Sequence, residues 1–136
     1  MSSQTGQRPP LTGIRVLDFT HVIAGPYCTM MLADMGADVV KVERPGEGDD
    51  LRHIGRYPGR EKHEDYFYTI NRRKRSITLD LTKPEELELC YKLVERADVA
   101  VQNYGPKQHD TTISVKDYRD LVTIFCPRRP GSSASG

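Results

Sequence analysis

Apolar positions along this chain follow two alternating rhythms. Residues 14–19, IRVLDF, form a short β-branched and leucine-rich run that suits a buried strand. The loop THVIAGP follows. Beyond its Gly25-Pro26, the residues Cys28, Met31, Leu32 and Met35 fall at i, i+3, i+4 and i+7, which predicts a helix with that face inward. Pro26 suits the first helical turn, where a missing N–H costs nothing, and Gly36 suits the stop. DVVKVE, residues 38–43, is a second strand. The unit then repeats. SITLDL (76–81) predicts a strand, and Thr82-Lys83-Pro84-Glu85 has the form of a capping box, with Thr82 as N-cap and Glu85 reaching back. Leu87, Cys90, Leu93, Val94 and Ala97 line one side of the helix it opens, and DVAVQN (98–103) is the next strand. Strands alternating with helices imply an α/β fold, a parallel, doubly wound sheet with flanking helices and right-handed crossovers.

Between the two units, residues 44–75 are rich in glycine, charge and tyrosine, an excursion with a helical turn expected near Asp65–Ile70. After Gly105-Pro106 the pattern weakens, and LVTIFC (121–126) is a candidate for one more strand. Residues 1–10 read as a flexible leader, and residues 127–136, PRRPGSSASG, as a disordered tail with almost nothing to bury. At 136 residues the chain is of one-domain size.

Net charge is +1, from 20 basic and 19 acidic residues, which argues against a nucleic-acid partner. The balance is local only in part: residues 1–50 are net −3, residues 51–83 net +5, and the remainder net −1. The basic island contains Arg72, Arg73, Lys74 and Arg75 in a row. Any one of these can reach a pyrophosphate, but not all four, because neighbours in an extended segment point opposite ways. No run approaches a membrane span, and residues 1–10 carry neither a secretory apolar stretch nor an Arg-rich amphipathic helix. Three widely spaced cysteines, Cys28, Cys90 and Cys126, are no disulfide framework. A reducing compartment, by default the cytoplasm, is expected.

Three places can carry chemistry. A strand ending near Phe19, a short loop and a Gly-Pro helix start gather unpaired backbone N–H groups at a positive helix end, an anion site by geometry. The dinucleotide fingerprint G-x-G-x-x-G is absent, and an ordinary strand–helix turn has the same outline. Arg44 stands at the carboxyl end of the second strand, where an arginine accommodates a phosphorylated ribose of the kind found in NADP or coenzyme A. The adjacent Glu43 would suit a ribose hydroxyl, but Pro45-Gly46 turns the chain immediately after Arg44, and a phosphorylated ribose is the sharper expectation, against an ordinary surface arginine. His21, His53, His63 and His109 have no metal-ligand spacing with the cysteines, and no metal is expected. There is no G-x-S-x-G elbow, and Asp18, Asp34, Asp49 and Asp50 are carboxylates with no partner visible in the sequence.

Four ordered segments carry a resemblance: residues 17–26 (LDFTHVIAGP), 32–46 (LADMGADVVKVERPG), 71–81 (NRRKRSITLDL) and 98–106 (DVAVQNYGP). The chain resembles the beginning of a class III CoA-transferase, the family of formyl-CoA and carnitine CoA-transferases, with α-methylacyl-CoA racemase as a relative. The match spans residues 11–106. It implies a Rossmann-like, partial large domain that binds coenzyme A, acting on acyl-CoA and carboxylic acid substrates within an interlocked homodimer. By position, Ile23 and Ala24 match backbone contacts to CoA, and Arg44 the arginine near its adenosine phosphate. Leu79, Asp80, Leu81 and Thr82 match one further segment lining the nucleotide, and Asn103, Tyr104 and Gly105 another. Residues 107–126 are a divergent continuation: Thr111 stands where the family has another CoA-holding arginine. The family's nucleophilic aspartate lies further along, so no residue here is assigned a catalytic role and the chain alone is expected to be inactive. Same-family racemase or dehydratase chemistry and a non-enzymatic NADP-type binding module are the alternatives. A mitochondrial location fits a eukaryotic member.

Overall fold

The computed structural model describes residues 8–54, 65–103 and 123–125. The chain runs β1 (Arg15–Asp18), α1 (Ala24–Asp34), β2 (Asp38–Glu43), a 3₁₀ turn (Asp50–Arg52), α2 (Asp65–Ile70), β3 (Arg75–Thr78), α3 (Pro84–Arg96), β4 (Val99–Gln102) and β5 (Thr123–Phe125). The strands form one sheet in the order β3-β2-β1-β4-β5. The first four are parallel, with Leu17 opposite Val40 on one side and Ala100 on the other. The expected strand within residues 121–126 is present at Thr123–Phe125, but it runs antiparallel to β4. With this reversal of direction the parallel order ends at β4.

Both faces of the sheet are covered. Leu17, Val42 and Ala100 pack under Cys90 and Ala97 of the α3 side, while Val16, Val39 and Val101 pack under Ala33 of α1. Successive strand residues point to opposite faces, so Val16 and Leu17, or Val39 and Val42, are buried on opposite sides of the sheet, and the polar strand residues Asp18, Lys41 and Glu43 are buried with them. Burial on the α3 side pushes the Cys90 thiol up to about 11, so it stays protonated.

Two details differ from the sequence reading. The inward face of α1 is Gly25, Pro26, Thr29, Met30 and Ala33. Met31 and Met35, expected inside, are exposed and form an apolar stripe with Ile23 and Tyr27. The helix is apolar almost all round, so periodicity did not fix its phase. The small residues and Thr29, whose hydroxyl donates to buried Asp18 at 2.7 Å, select the face that fits the sheet. At α3, Lys83 is the N-cap and Pro84 opens the helix. The acid that reaches back is Glu86, accepting from Asp80 N–H at 2.6 Å, while the Thr82 hydroxyl donates to Asp80 at 2.6 Å. Asp80 nucleates its own turn and shifts the cap by one residue. The stop of α1 is as expected: Gly36 has φ +97°, and the N–H groups of Gly36 and Ala37 donate to Ala33 and Leu32 carbonyls in a Schellman closure.

Candidate nucleotide site at the carboxyl end of the sheet

In the order 3-2-1-4 the chain steps from β1 to β2 and β3 on one side, then crosses from β3 to β4 on the other side of β1, and such a reversal opens a crevice beyond the carboxyl ends of the strands. Four of the predicted segments converge on this edge. Residues 19–24 follow β1, residues 44–50 follow β2, residues 79–82 follow β3 and Asn103 follows β4. Tyr104 and Gly105 lie outside the described residues.

Next to β1 the chain turns over a buried polar floor. Asp18 is fully buried and accepts from the Thr20 N–H at 2.9 Å and the Thr20 hydroxyl at 2.5 Å. Lys74 reaches under the loop, its ammonium 3.0 Å from Asp18, and also donates to the Pro26 carbonyl and the Asn71 side chain. Burial lowers the Lys74 pKa, and the Asp18 charge opposes that. From β2, buried Lys41 pairs with buried Asp49 at 2.8 Å and donates to the Thr20 carbonyl at 2.5 Å. The turn then delivers Ile23 as the N-cap of α1, with no side-chain cap. Ile23 and Ala24 are both exposed there. Gly25 is obligatory in this packing: a Cβ on it would lie 2.4 Å from Thr20 Cβ and 3.0 Å from Asn103 Cγ.

A cleft beside this turn is lined by Phe19, Thr20, His21, Lys41, Arg44 and Asp50 among others. It therefore joins the first loop to Arg44, although Ile23 and Ala24 lie outside its lining. Arg44 is half exposed and is held by its own loop: Nε donates to the Gly48 carbonyl at 3.1 Å, and the guanidinium pairs with Asp50 and, at 3.6 Å, with Glu47. Asp50 also lies 3.8 Å from His21 Nδ1. The neighbouring Glu43 faces inward, bound by Arg52, Ser76 and the Asp49 N–H. Both residues line the cleft, but the Glu43 carboxylate is taken up by these partners as part of the scaffold, while the half-exposed Arg44 guanidinium lies at the surface.

The remaining predicted residues divide by environment. Leu79 is buried in the core beneath the site, its N–H donating to the Glu43 carbonyl at 3.0 Å, and Leu81 packs against the same core. Asp80 and Thr82 stand at the surface of the β3–α3 turn. The Asn103 amide grips the first loop, accepting from His21 N–H at 3.0 Å and donating to its carbonyl at 2.9 Å. The basic run is consumed by carboxylates: Arg72 and Arg73 pair with Asp34, Lys74 with Asp18 and Arg75 with Asp38. The sequence reading missed Lys41 and Asp49 as site-forming residues. The available signal was a lysine inside the apolar strand DVVKVE, which demands a buried acid. Among the described residues no group of histidine, cysteine and carboxylate side chains is arranged to hold a metal, and no helix is long and apolar enough to cross a membrane.

Known proteins are similar to this chain in sequence and fold. The chain is similar to a succinyl-CoA:mesaconate CoA-transferase of Haloarcula hispanica, 56% identical over 97 residues, covering 69% of this chain and 24% of that protein. A formyl-CoA:oxalate CoA-transferase of Bradyrhizobium diazoefficiens is 50% identical over 97 residues, covering 71% of this chain and 22% of its own. The mouse succinyl-CoA:glutarate CoA-transferase is 46% identical over 120 residues, covering 86% and 27%. The chain thus spans about a quarter of the length of these relatives. Among solved structures, a CAIB/BAIF family protein from Brucella suis superposes with a TM-score of 0.66 at 41% identity, covering 76% of this chain and 28% of that one. A Mycobacterium tuberculosis protein gives a TM-score of 0.67 at 42% identity, covering 75% and 28%. The model of CoA-transferase family III matches residues 11–121, most of the chain, and by that match, with the shared fold, the chain belongs to CoA-transferase family III.

Proposed function

We propose that residues 11–106 are the coenzyme A-binding part of a transferase that moves CoA from an acyl-CoA to a carboxylic acid. The observation that carries this reading is the convergence of the 19–24 loop, Arg44, residues 79–82 and Asn103 on the carboxyl edge of one parallel sheet, at the reversal of strand order. In this reading the N–H groups of Ile23 and Ala24, at the uncapped start of α1, meet the anionic part of the ligand. Arg44 takes the ribose phosphate, and Asp80, Thr82 and Asn103, with Tyr104 and Gly105, border the nucleotide. The aspartate that attacks the thioester carbonyl, passing through an acyl anhydride and an enzyme–CoA thioester, belongs to a part of the protein beyond these segments. Three relatives whose names describe CoA transfer favour this chemistry over racemisation or dehydration. A homodimer working in the cytoplasm, or in mitochondria for a eukaryotic member, is the accompanying expectation.

Calorimetric titration with CoA, dephospho-CoA and NADP tests the binding claim. A charge-assisted contact from Arg44 is expected to favour CoA over dephospho-CoA by about 1.5–3 kcal/mol, and Arg44→Ala to close that gap. Equal affinity for the two would remove the phosphate role from Arg44, and tighter binding of NADP would favour the dinucleotide module instead. In a thioester-exchange assay the 136-residue chain alone is expected to transfer no CoA; turnover above background would contradict the placement of the nucleophile.

A further inference from the structure

The turn that leads into α1 contains a strained residue. Val22 has φ +65°, a left-handed conformation that a β-branched side chain strongly disfavours. Such a residue persists only where its surroundings over-determine it, and strained backbone of this sort concentrates at ligand clamps. Here the surroundings are specific. The Val22 N–H donates to Asp49 Oδ1 at 3.0 Å. The preceding residue, His21, has both its N–H and its carbonyl bound by the Asn103 amide. Before that, the Thr20 carbonyl accepts from Lys41 and the Thr20 N–H donates to Asp18. Three successive residues are therefore fixed by side chains from β1, from β2, from the residue after β4 and from the N-cap of the 3₁₀ turn, with no help from a regular ladder.

Asp49 is the centre of this clamp. It is buried, with Lys41 2.8 Å from its second oxygen, and its own N–H donates to Glu43 at 3.0 Å. It also caps the 3₁₀ turn through Leu51 N–H at 2.9 Å. A buried carboxylate that holds two backbone N–H groups on one oxygen, with an ammonium 2.8 Å from the other, is restrained at both ends, so its Oδ1 defines where the Val22 N–H must point. We propose that Asp49, fixed by Lys41, is a positioning residue for the nucleotide site. It keeps Val22 left-handed, and thereby aims the unpaired N–H groups at the start of α1 toward the ligand. This rests on the CoA-binding reading above, and it adds the device that prepares the loop before the ligand arrives.

The test uses the 136-residue chain carrying Asp49→Asn, Lys41→Met with Asp49→Leu, or Val22→Gly, and each Asp49 variant combined with Val22→Gly. The double replacement leaves no buried charge alone, so a fold lost in Asp49→Asn does not end the experiment. A loop held in its competent form only one-tenth of the time raises the apparent CoA dissociation constant about tenfold, which is the loss expected for the Asp49 variants. Glycine adopts positive φ freely, so adding Val22→Gly is expected to restore most of that affinity. A purely structural role for the ion pair gives no such rescue. Asp49 variants that bind CoA as the parent does, or losses that Val22→Gly leaves unchanged, overturn the proposal. If the parent itself fails to bind CoA, the functional reading fails, and amide exchange at Val22 then decides this one. Exchange about tenfold faster in the Asp49 variants sustains the clamp, and unchanged exchange refutes it.

Discussion

Glu43 ends β2 with its carboxylate buried, and burial by itself raises the pKa. Four donors reverse that shift: Arg52 Nε at 2.8 Å and Nη2 at 2.9 Å, the Ser76 hydroxyl at 2.6 Å and the Asp49 N–H at 3.0 Å. Together they bring its pKa from 4.5 down to about 2. A carboxylate whose folded pKa lies below its unfolded one stabilises the fold fully above the unfolded value. That contribution is lost as pH falls from about 4.5 through about 2. At about 1.36 kcal/mol for each pH unit between the two pKa values, discounted because Arg52 is partly exposed and screened, the carboxylate contributes roughly 2–3 kcal/mol at neutral pH. Glu43→Gln keeps the shape and removes the charge. Arg52 is not stranded by the change, since its guanidinium also lies over the Phe67 ring, 3.6 Å from the centroid. Urea unfolding of the parent and Glu43→Gln chains is expected to differ by roughly 2–3 kcal/mol at pH 7, and the gap to shrink steadily between pH 4.5 and 2. A gap of the same size at pH 7 and at pH 2.5 would refute this account of the buried carboxylate.

Two further outcomes follow from the same geometry. Asp50 neutralises Arg44 across an exposed pair, so Asp50→Asn is expected to tighten CoA binding by about two- to fivefold while leaving dephospho-CoA unchanged; equal gains for both ligands would show that Asp50 does not act through the phosphate contact. Gly25→Ala places a methyl 2.4 Å from Thr20 Cβ and 2.6 Å from its Cγ2, both buried and branched, so thermal unfolding should show a loss of about 1–3 kcal/mol or more. An unchanged midpoint would mean that the loop packs less closely than described.

The strands, the α1 stop at Gly36 and the placement of Arg44 beyond β2 were all legible along the chain. Each depends on neighbours within a few residues: an apolar run, a left-handed glycine, an arginine before Pro45-Gly46. What failed at the local level was phase and partnership. Helix α1 is apolar on all sides, so only the sheet it meets could choose Thr29 and Ala33 for the inside. The cap of α3 moved because Thr82 gives both its N–H and its hydroxyl to the Asp80 carboxylate, so its side chain does not cap the helix.

Partnership decided the site. Asp18 and Lys74 are 56 residues apart, and Asn103 and His21 are 82 apart, separations across which sequence spacing carries no geometric information. Arg72, Arg73, Lys74 and Arg75 read as one cationic run, yet the fold sends them to three different carboxylates. Local propensity and turn chemistry, which act over a few residues, thus determined the alternating α/β order and the family pattern. The strained Val22, its Asp49 clamp and the inward turn of Glu43 were decided only in three dimensions, because a buried charge takes its role from whichever opposite charge the sheet brings beside it.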